Sequence, residues 1–367
     1  MEISSGDLQK IVSIKPQLVF AFGSTQFFTD SKFLAGLAHK LPNTHIVGCS
    51  TAGEISSLGI DDGTLVLTSV HFEKARVRVH CVPHQGLGHS MTAGEKLGAE
   101  LNAADLKGLL VLAPGTNING DSLIQGLQSK LAKGTTITGG LAGDGGQFQK
   151  TYSICNDKIS SDIALAVGFY GQGFDIQFGT FGGWQPAGEP LKVTKAIGNL
   201  LLELDGKPAL DVYKKFLGDA ASEPGITLSH PFAILSSNKA NPGTIRTPLG
   251  MNEANRSLVM GGDIPSGAMV SMMRADTSNL VQGAGTAAKT AMENAKAGTS
   301  LAIIISCVGR KLILGKDVIQ EYNAVKAIIK CTNIAGFYSN GEIAPSGFVD
   351  DCRLHNQTMT ITRFQEL

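Results

Sequence analysis

Residues Thr44–Glu54, THIVGCSTAGE, run from a short apolar segment into glycine and small residues and end on an acid. An apolar run of this length that stops at glycine is typical of a buried strand followed by a tight turn. The same order recurs in Thr136–Asp144, TITGGLAGD, and in Asn333–Glu342, NIAGFYSNGE. This strand and turn decide the fold, because the other recognisable segments follow them in a repeated order.

Each copy of the repeat begins with an apolar strand and a helix, and a further strand follows the glycine loop. The first strands of the three copies are Leu18–Gly23, Leu109–Gly115 and Leu301–Gly309. The second and third copies also extend upstream by one strand and one helix, the strands being 75–82 and 268–275. These upstream segments are recognised in the later two copies.

Apolar strands joined through helices predict an α/β fold with right-handed crossovers and sheets covered on both faces. The short strands after the glycine loops are expected to pair antiparallel, so the sheets should be mixed but largely parallel, flanked by helices and built from repeated β-α-β-β units. Glycine and proline cluster in Gly182–Pro190, GGWQPAGEP. We therefore expect two related domains, residues 1–185 and 186–367.

The composition excludes several classes of protein. The chain has 367 residues and a formal net charge of zero without a polybasic run, which argues against nucleic-acid binding. Its apolar runs are shorter than the about 20 residues that span a bilayer, and its start, MEISSGDLQK, lacks the pattern of a signal peptide. Its six cysteines form no CxxC pair, which favours free thiols. We expect a cytoplasmic protein without membrane insertion.

The glycine loops are the candidate ligand site, because ligands of open α/β sheets bind beyond the carboxyl ends of the strands. Loops 48–53 and 336–341 have equal spacing, and loop 139–143 is one residue shorter. Glycine exposes backbone N–H groups, and the neighbouring hydroxyl, amide and carboxylate groups add donors and acceptors. The alternative is that each loop is only a turn that its acid caps. The candidate ligand-binding residues are Cys49, Ser50, Thr51, Gly53, Glu54, Gly139, Gly140, Asp144, Tyr338, Ser339, Asn340 and Glu342.

The sequence carries no recognisable catalytic motif. It lacks a phosphate loop, a dinucleotide loop in strand-to-helix context and a Gly-x-Ser-x-Gly elbow. His45 precedes Cys49 by four residues, which places them roughly 13 Å apart along a strand, too far for a nucleophile and its base. We predict a protein that is not an enzyme. The alternative is an enzyme that uses Cys49 or the loop carboxylates on a metabolite.

Two histidines are candidates for an iron ligand. The cluster His80, Cys81, His84 and His89 lacks the paired spacing of a zinc site. His230 lies in an apolar segment, ITLSHPFAILSS, and His355 opens the last strand segment. A neutral imidazole in an apolar wall is what the proximal side of a haem requires. The alternative is that both are hydrogen-bonded structural histidines.

Several segments resemble the FIST family. HIVGCSTAGEI with GTLVLTSV, and TGGLAGDGG with DIALAVGFYG, are similar to its N-terminal domain. LLELDGKPALDVYKKFLG, LVMGGDIPSGAMVSMMRAD and the stretch from IAGFYSNGEIAP to LHNQTMTITRF resemble its C-terminal domain. The resemblance covers nearly the whole chain, so it implies FIST N over 1–185 and FIST C over 186–367.

The resemblance implies an intracellular sensory module that binds a small ligand and acts in signal transduction through a separate partner. One stand-alone bacterial branch, the NosP type, binds haem, senses nitric oxide and regulates a histidine kinase of a two-component system or a cyclic-di-GMP enzyme. We expect haem as cofactor on this reading, with His230 the first candidate ligand and His355 the second. The alternatives are a sensor of amino acids or other metabolites without haem, and a protein-interaction scaffold. The oligomeric state stays open between a monomer and a homodimer.

Overall fold

The computed structural model describes residues 5–29, 32–223, 225–235, 243–329, 333–346 and 352–367. The first repeat is α1 (Ser5–Ser13), β1 (Leu18–Gly23), α2 (Lys32–Lys40), β2 (His45–Ser50), β3 (Glu54–Ser56), β4 (Gly59–Asp61) and β5 (Leu65–Val70). The second repeat is β6 (Arg76–Pro83), α3 (Ser90–Leu101), β7 (Leu106–Ala113), α4 (Gly120–Lys130), β8 (Thr136–Leu141), β9 (Ser153–Cys155), β10 (Lys158–Ser160) and β11 (Ile163–Tyr170).

The third repeat begins with β12 (Phe174–Phe181) and is interrupted by a long insertion. The insertion holds β13 (Gln185–Pro186), β14 (Leu191–Ile197), β15 (Leu200–Leu204), β16 (Lys207–Pro208), α5 (Ala209–Leu217), α6 (Ile226–Ser229), β17 (Phe232–Ile234), β18 (Thr244–Arg246), β19 (Pro248–Asn252), β20 (Ser257–Met260) and β21 (Met269–Arg274). The repeat resumes with α7 (Thr277–Met292), β22 (Ser300–Cys307), α8 (Val308–Leu314), α9 (Val318–Ile328), β23 (Asn333–Ser339), β24 (Gly341–Pro345), β25 (Cys352–His355) and β26 (Met359–Glu366). The 3₁₀ helices are Thr25–Phe27, Leu87–His89, Gly218–Ser222 and Gly315–Asp317.

Each repeat supplies most strands of one sheet, and the insertion forms a fourth. The strand orders of the first three are β10-β9-β2-β1-β5, β25-β24-β8-β7-β11-β6 and β12-β26-β22-β23-β3-β4. The fourth, nine-stranded sheet has the order β18-β17-β21-β14-β15-β20-β19, with β13 on β21 and β16 on β15. The chain leaves the third sheet at Phe181 and enters the fourth at Gln185, while the division of the domains at 185/186 stays a prediction.

The hairpin after each glycine loop leaves its own repeat and completes the sheet of another. Hairpin β3–β4 of the first repeat pairs with β23 of the third, and β24–β25 of the third pairs with β8 of the second. Hairpin β9–β10 of the second repeat pairs with β2 of the first, which closes the cycle. The three repeats therefore fold as one interlocked unit.

The three sheets enclose a common apolar core and carry their helices outside. Inward side chains of β1, β7 and β22 meet in this core, among them Phe20, Leu110 and Ile303. Helix α2 covers the first sheet, α3 and α4 cover the second, and α7 and α9 cover the third. Burying both faces of a sheet explains why these strands read as continuous apolar runs.

A glycine at one equivalent position of each repeat allows its second strand to lie against the first. A Cβ atom at Gly48, Gly139 or Gly336 would overlap the main-chain carbonyl of Ala21, Val111 or Ile304, respectively. The first glycine of each loop is therefore a packing requirement of the parallel strand pair. This accounts for the stretch with which the repeat was recognised.

The prediction of an α/β fold with mixed sheets and flanking helices is confirmed, with two corrections. Parallel pairing is confined to β1–β2, β7–β8 and β22–β23 among the described strands, so the expected predominance of parallel pairs is wrong. Segment 268–275 is not the upstream strand of the third repeat, because β21 lies in the fourth sheet and β12 occupies that edge. The insertion separates β12 from the rest of its repeat, which hides the equivalence.

Candidate functional site

The three glycine loops come together at the carboxyl ends of the parallel strand pairs. We call residues 48–54, 139–144 and 336–342 the loop hub. The Ala52 N–H donates to the Tyr338 carbonyl and the Tyr338 N–H to the Gly53 carbonyl, both at 2.8 Å. The Asn340 N–H donates to the Leu141 carbonyl at 3.2 Å. The residues that the sequence pattern singled out in the three loops therefore lie close together, and main-chain hydrogen bonds hold the loops in place.

Each acid of the loop hub anchors the chain that leaves its own loop. The Glu54 carboxylate accepts from the Thr64 N–H at 2.9 Å and from the Thr51 hydroxyl. The Glu342 carboxylate accepts from the Thr358 N–H at 3.1 Å and from the Ser339 hydroxyl at 2.6 Å. The bonding capacity of both side chains is used inside the protein.

Asp144 plays the equivalent part in the second repeat. Its carboxylate accepts from the N–H groups of Phe148, Gln149 and Lys150 at 2.9, 2.6 and 3.0 Å. Carboxylates held in this way define loop geometry and are not presented to a substrate. The turn-capping alternative therefore describes these acids better than a catalytic role does.

The other hub candidates are buried, and most of their polar atoms are bonded. Ser50 donates to the Gly143 carbonyl at 2.7 Å and accepts from the Tyr152 N–H at 2.8 Å. Burial raises the pKa of the Cys49 thiol well above its ordinary value, which suits an inert core side chain. The main chain at Cys49, Ser50, Thr51, Gly53, Gly139, Gly140, Tyr338 and Ser339 is packed within the hub or its strands.

Asn340 differs from its neighbours in the loop hub. Both Oδ1 and Nδ2 are shielded from solvent, and neither has a hydrogen-bond partner among the described residues. Its amide lies near Gly115, at the end of the first strand of the second repeat. Asn340 is thus a hub side chain with bonding capacity left.

A cavity of 280 Å³, here called the interdomain cleft, lies between the fourth sheet and the second sheet with its helix α4. It brings together charged side chains that are distant in sequence. The Arg246 guanidinium donates to both Asp121 carboxylate oxygens at 3.0 Å and to the Leu354 carbonyl at 2.6 Å. The lining residues are Asp121, Gln125, Ile234, Leu235, Gly243, Thr244, Arg246, Asp263, Pro265, Ser346 and Arg353.

Asp263 connects this ion pair to the cavity. Its main-chain N–H donates to Asp121 at 2.9 Å, and its carboxylate accepts from the Asn119 side chain at 3.2 Å. Burial and the nearby Asp121 charge raise the pKa of Asp263. Asn119 also caps α4 by accepting from the Ser122 N–H. The cleft therefore offers a half-buried carboxyl group beside a fixed guanidinium group.

A second, larger cavity of 1060 Å³, here called the β5 groove, runs along β5. Its floor is apolar and includes Phe20, Phe72, Phe169, Phe174 and Phe364. None of the hub or histidine candidates named in the sequence analysis is among its lining residues.

Neither candidate haem ligand is itself a lining residue of the two cavities, although His355 Nε2 lies 3.3 Å from the hydroxyl of Ser346, which lines the interdomain cleft. His355 is 4% exposed, and its Nε2 lies 3.0 Å from the Ala344 carbonyl, so ligation through this atom would break a structural bond. His230 directs Nδ1 towards the Ile226 carbonyl at 3.2 Å and packs edge-on against Phe216. An imidazole oriented through Nδ1 can present Nε2 to a metal. His230 therefore has its Nε2 outside this hydrogen bond, whereas His355 uses its Nε2 in one.

Sequence reasoning missed the residues of the interdomain cleft. Asp121 and Arg246 are 125 positions apart, and neither belongs to a recognisable motif. The one local signal is the sequence GGD at 261–263, where a side chain on Gly262 would meet the guanidinium of Arg246.

Comparison with known proteins gives the family. A FIST N domain matches residues 17–207 and a FIST C domain matches residues 209–345, so the chain belongs to the FIST family, as predicted. The chain is also similar to an uncharacterized protein of Methanocaldococcus jannaschii, with 24% identity over 345 residues. That alignment covers 86% of this chain and 64% of the relative, so the chain spans less than two thirds of the relative's length.

FIST domains are generally modules for small-ligand sensing and signal transduction, and they are typically sensory rather than catalytic. None of the helices in the described ranges combines the length and apolar character needed to cross a bilayer.

Proposed function

We propose that this FIST chain is a sensor without catalytic activity that binds a small charged metabolite in the interdomain cleft. The observation that carries the proposal is the convergence of Asp121 from the second repeat with Arg246 and Asp263 from the insertion on one 280 Å³ cavity. Membership of a family of small-ligand sensors supports it. A ligand at this position contacts both parts of the chain at once.

The lining of the interdomain cleft favours a zwitterion of about the size of an amino acid. Its volume is slightly below the roughly 300 Å³ at which pockets for drug-sized ligands begin. The Arg246 fork suits a carboxylate, and the Asp263 carboxyl group suits an amine. The charged groups in fixed positions would select a ligand by its charge, and the neighbouring Ile234 and Leu235 would limit its size.

Signalling follows from competition within the cleft. A ligand carboxylate that bonds to Arg246 competes with Asp121, which now holds the insertion against the second repeat. Binding would then shift the balance between two packings of these parts, by as much as its affinities for the two differ. A separate partner, in our proposal a histidine kinase or a cyclic-di-GMP enzyme, would distinguish the two packings.

Thermal unfolding in the presence of the twenty amino acids, one at a time, tests this proposal. We expect at least one amino acid to raise the melting temperature of the native chain. Titration calorimetry should then show that Asp263→Asn binds this amino acid about tenfold more weakly. Asp211→Asn is the matched control, because Asp211 forms an exposed ion pair with Arg256. This variant should bind the amino acid as tightly as the native chain does. Absence of any shift, or equal binding by Asp263→Asn, would overturn the proposal.

Haem-dependent sensing of nitric oxide is the second candidate, and the orientation of His230 through Nδ1 supports it. Bound haem would supply an iron that takes up nitric oxide, while His230 would hold the group and separate signalling enzymes would read the change. An absorption spectrum after reconstitution tests this candidate. A sharp Soret band that is lost in His230→Ala and retained in the control His39→Ala supports it, and a broad spectrum of free haem ends it.

A further inference from the structure

The closing strands of the three repeats, β5, β11 and β26, occupy equivalent positions but have unequal edges. Each pairs antiparallel with the first strand of its repeat, so that Val70, Phe169 and Phe364 take equivalent places in the common core. On the other side, β11 pairs with β6 and β26 pairs with β12, each over eight positions. In the part of the chain that the structure describes, β5 has no strand on that side.

The free edge of β5 presents main-chain groups to the β5 groove. The carbonyls of Thr64 and Val70 accept from N–H groups at the ends of β1, at 3.0 and 3.1 Å. In an antiparallel pair the main-chain groups alternate in direction, so the N–H and C=O groups of Leu65, Leu67 and Ser69 point away from β1. They face the groove, whose lining includes all of β5.

The shape and apolar floor of the groove match a missing strand. In the two complete sheets the corresponding strands send alternate side chains into the common core, Val77 and Val79 from β6 and Phe174 and Ile176 from β12. Beside β5 the same core forms the floor of the groove, which Phe20, Phe72 and Phe364 line while each is at most 7% exposed. An added strand with apolar residues at alternate positions would cover it.

The charges around the groove indicate the other face of such a strand. Among the described residues, its lining includes Asp61 near one end of β5, Glu73 and Glu366 near the other, and neither lysine nor arginine. The Glu366 carboxylate already accepts from the N–H groups of Glu73, Lys74 and Ala75, so Asp61 and Glu73 are the acids left for a partner. In β6, Arg76 and Arg78 alternate with the core-facing valines and pair with the acids Asp105 and Glu100 of the same repeat. The outward residues of β12 at the corresponding positions are Asp175 and Gln177, so a basic outward face is a feature of β6 alone of these two strands. A basic, alternating segment is complementary to the edge of β5 in pattern and, through Asp61 and Glu73, in charge.

We propose that the β5 groove is a docking site for an extended segment of a partner protein, which adds antiparallel to β5 with apolar residues at alternate positions and basic residues between them. Strand addition of this kind takes its affinity from main-chain bonds and its specificity from alternate side chains. The proposal is independent of the ligand in the interdomain cleft.

A labelled peptide copy of β6, RVRVHCVP with serine in place of its cysteine, is the probe, because β6 fills the equivalent edge of the second sheet. We expect saturable binding to the full chain by fluorescence anisotropy. The control peptide has the same composition, but its arginines are adjacent to each other and its valines are adjacent to each other. It should bind at least about tenfold more weakly, because apolar and basic residues no longer alternate along the strand. Equal binding of the two peptides, or none, would overturn the proposal.

Amide hydrogen exchange, read residue by residue by NMR, tests the geometry. The peptide should slow exchange at Leu65, Leu67 and Ser69 and leave Val66, Thr68 and Val70, which already face β1, nearly unchanged. Uniform slowing along β5, or slowing by an apolar dye alone, would point to a small hydrophobic ligand and contradict a docked strand.

Two variants at one position complete the test. Leu67→Pro removes a single outward N–H and should bind the peptide at least about tenfold more weakly than Leu67→Ala, which shortens the same side chain but keeps that N–H. Circular dichroism checks that both are folded. If Leu67→Pro fails to fold, the exchange pattern of the native chain decides, and loss of peptide binding in Leu67→Ala counts against main-chain pairing.

Discussion

The loop hub and the interdomain cleft both bury carboxyl groups, but they use them in different ways. In the hub, Glu54, Asp144 and Glu342 accept hydrogen bonds from their own loops. In the cleft, Asp121 and Asp263 bond to groups of a distant segment beside a cavity. Burial and polarity therefore do not identify a ligand site by themselves. The useful distinction is whether the polar atoms fix a local loop or join separate parts of the chain around a space.

Among the changes considered, Arg246→Ala in the interdomain cleft should have the largest effect on stability. It leaves the buried Asp121 carboxylate without its cation, which costs about 3–5 kcal/mol of the free energy of unfolding. Urea denaturation measures the loss. Arg256→Ala, which removes an exposed pair with Asp211, should cost less than about 1 kcal/mol. Similar losses in the two variants would show that the cleft ion pair is not a clamp.

The pH dependence of stability should show the next largest effect, from Glu342 in the hub. Burial raises the pKa of this carboxyl group from its ordinary 4.5 to about 8, although Ser339 and Thr358 donate to it. The folded state then holds the proton more tightly than the unfolded chain, so stability falls as the pH rises from 4.5 to 8. Denaturation at a series of pH values should show a fall on the order of a few kcal/mol.

Glu342→Gln should remove this part of the pH dependence, because the amide does not titrate. The variant should be less sensitive than the native chain between pH 4.5 and 8, and the remaining slope belongs to other groups. An unchanged slope in Glu342→Gln would mean that Glu342 is ionised throughout and that its hydrogen bonds outweigh its burial.

Asp144→Ala tests the structural reading of the hub directly. Its three N–H donors lose their acceptor, which should cost about 2 kcal/mol, since water reaches part of this exposed loop. Ligand affinity in the interdomain cleft should not change. The control Asp157→Ala removes an exposed acid of the same repeat and should leave stability within about 0.5 kcal/mol. A loss of ligand binding in Asp144→Ala would move the site to the hub.

The sequence reveals the repeat because each copy needs the same local features. Gly48, Gly139 and Gly336 recur where a Cβ atom would overlap the neighbouring strand, and the acids recur where a loop needs an acceptor. The exchange of hairpins could not be predicted, because β3 has the same sequence pattern whether it pairs in its own sheet or with β23. The cleft depends on contacts such as Asp121 with Arg246, which no local period records.

The edge of β5 could be predicted from the sequence only in part. The sequence shows an upstream strand in the second and third repeats, but it does not show what this strand covers. Only the pairing of β6 with β11 and of β12 with β26 shows that the equivalent position beside β5 is a groove among the described residues. A gap in a repeat is thus informative once the structure shows what the complete copies place there.

Asn340→Leu should have the smallest effect on stability and gives the sharpest comparison of the two regions. The Asn340 amide is buried without a partner among the described residues, so an apolar side chain of similar size should leave the free energy of unfolding unchanged within about 0.5 kcal/mol or raise it. Ser339→Ala, next to it, removes a bonded hydroxyl and should cost about 1 kcal/mol. If the ligand binds in the cleft, Asn340→Leu retains its affinity. If affinity falls while stability holds, Asn340 bonds to the ligand, and the hub is the binding site.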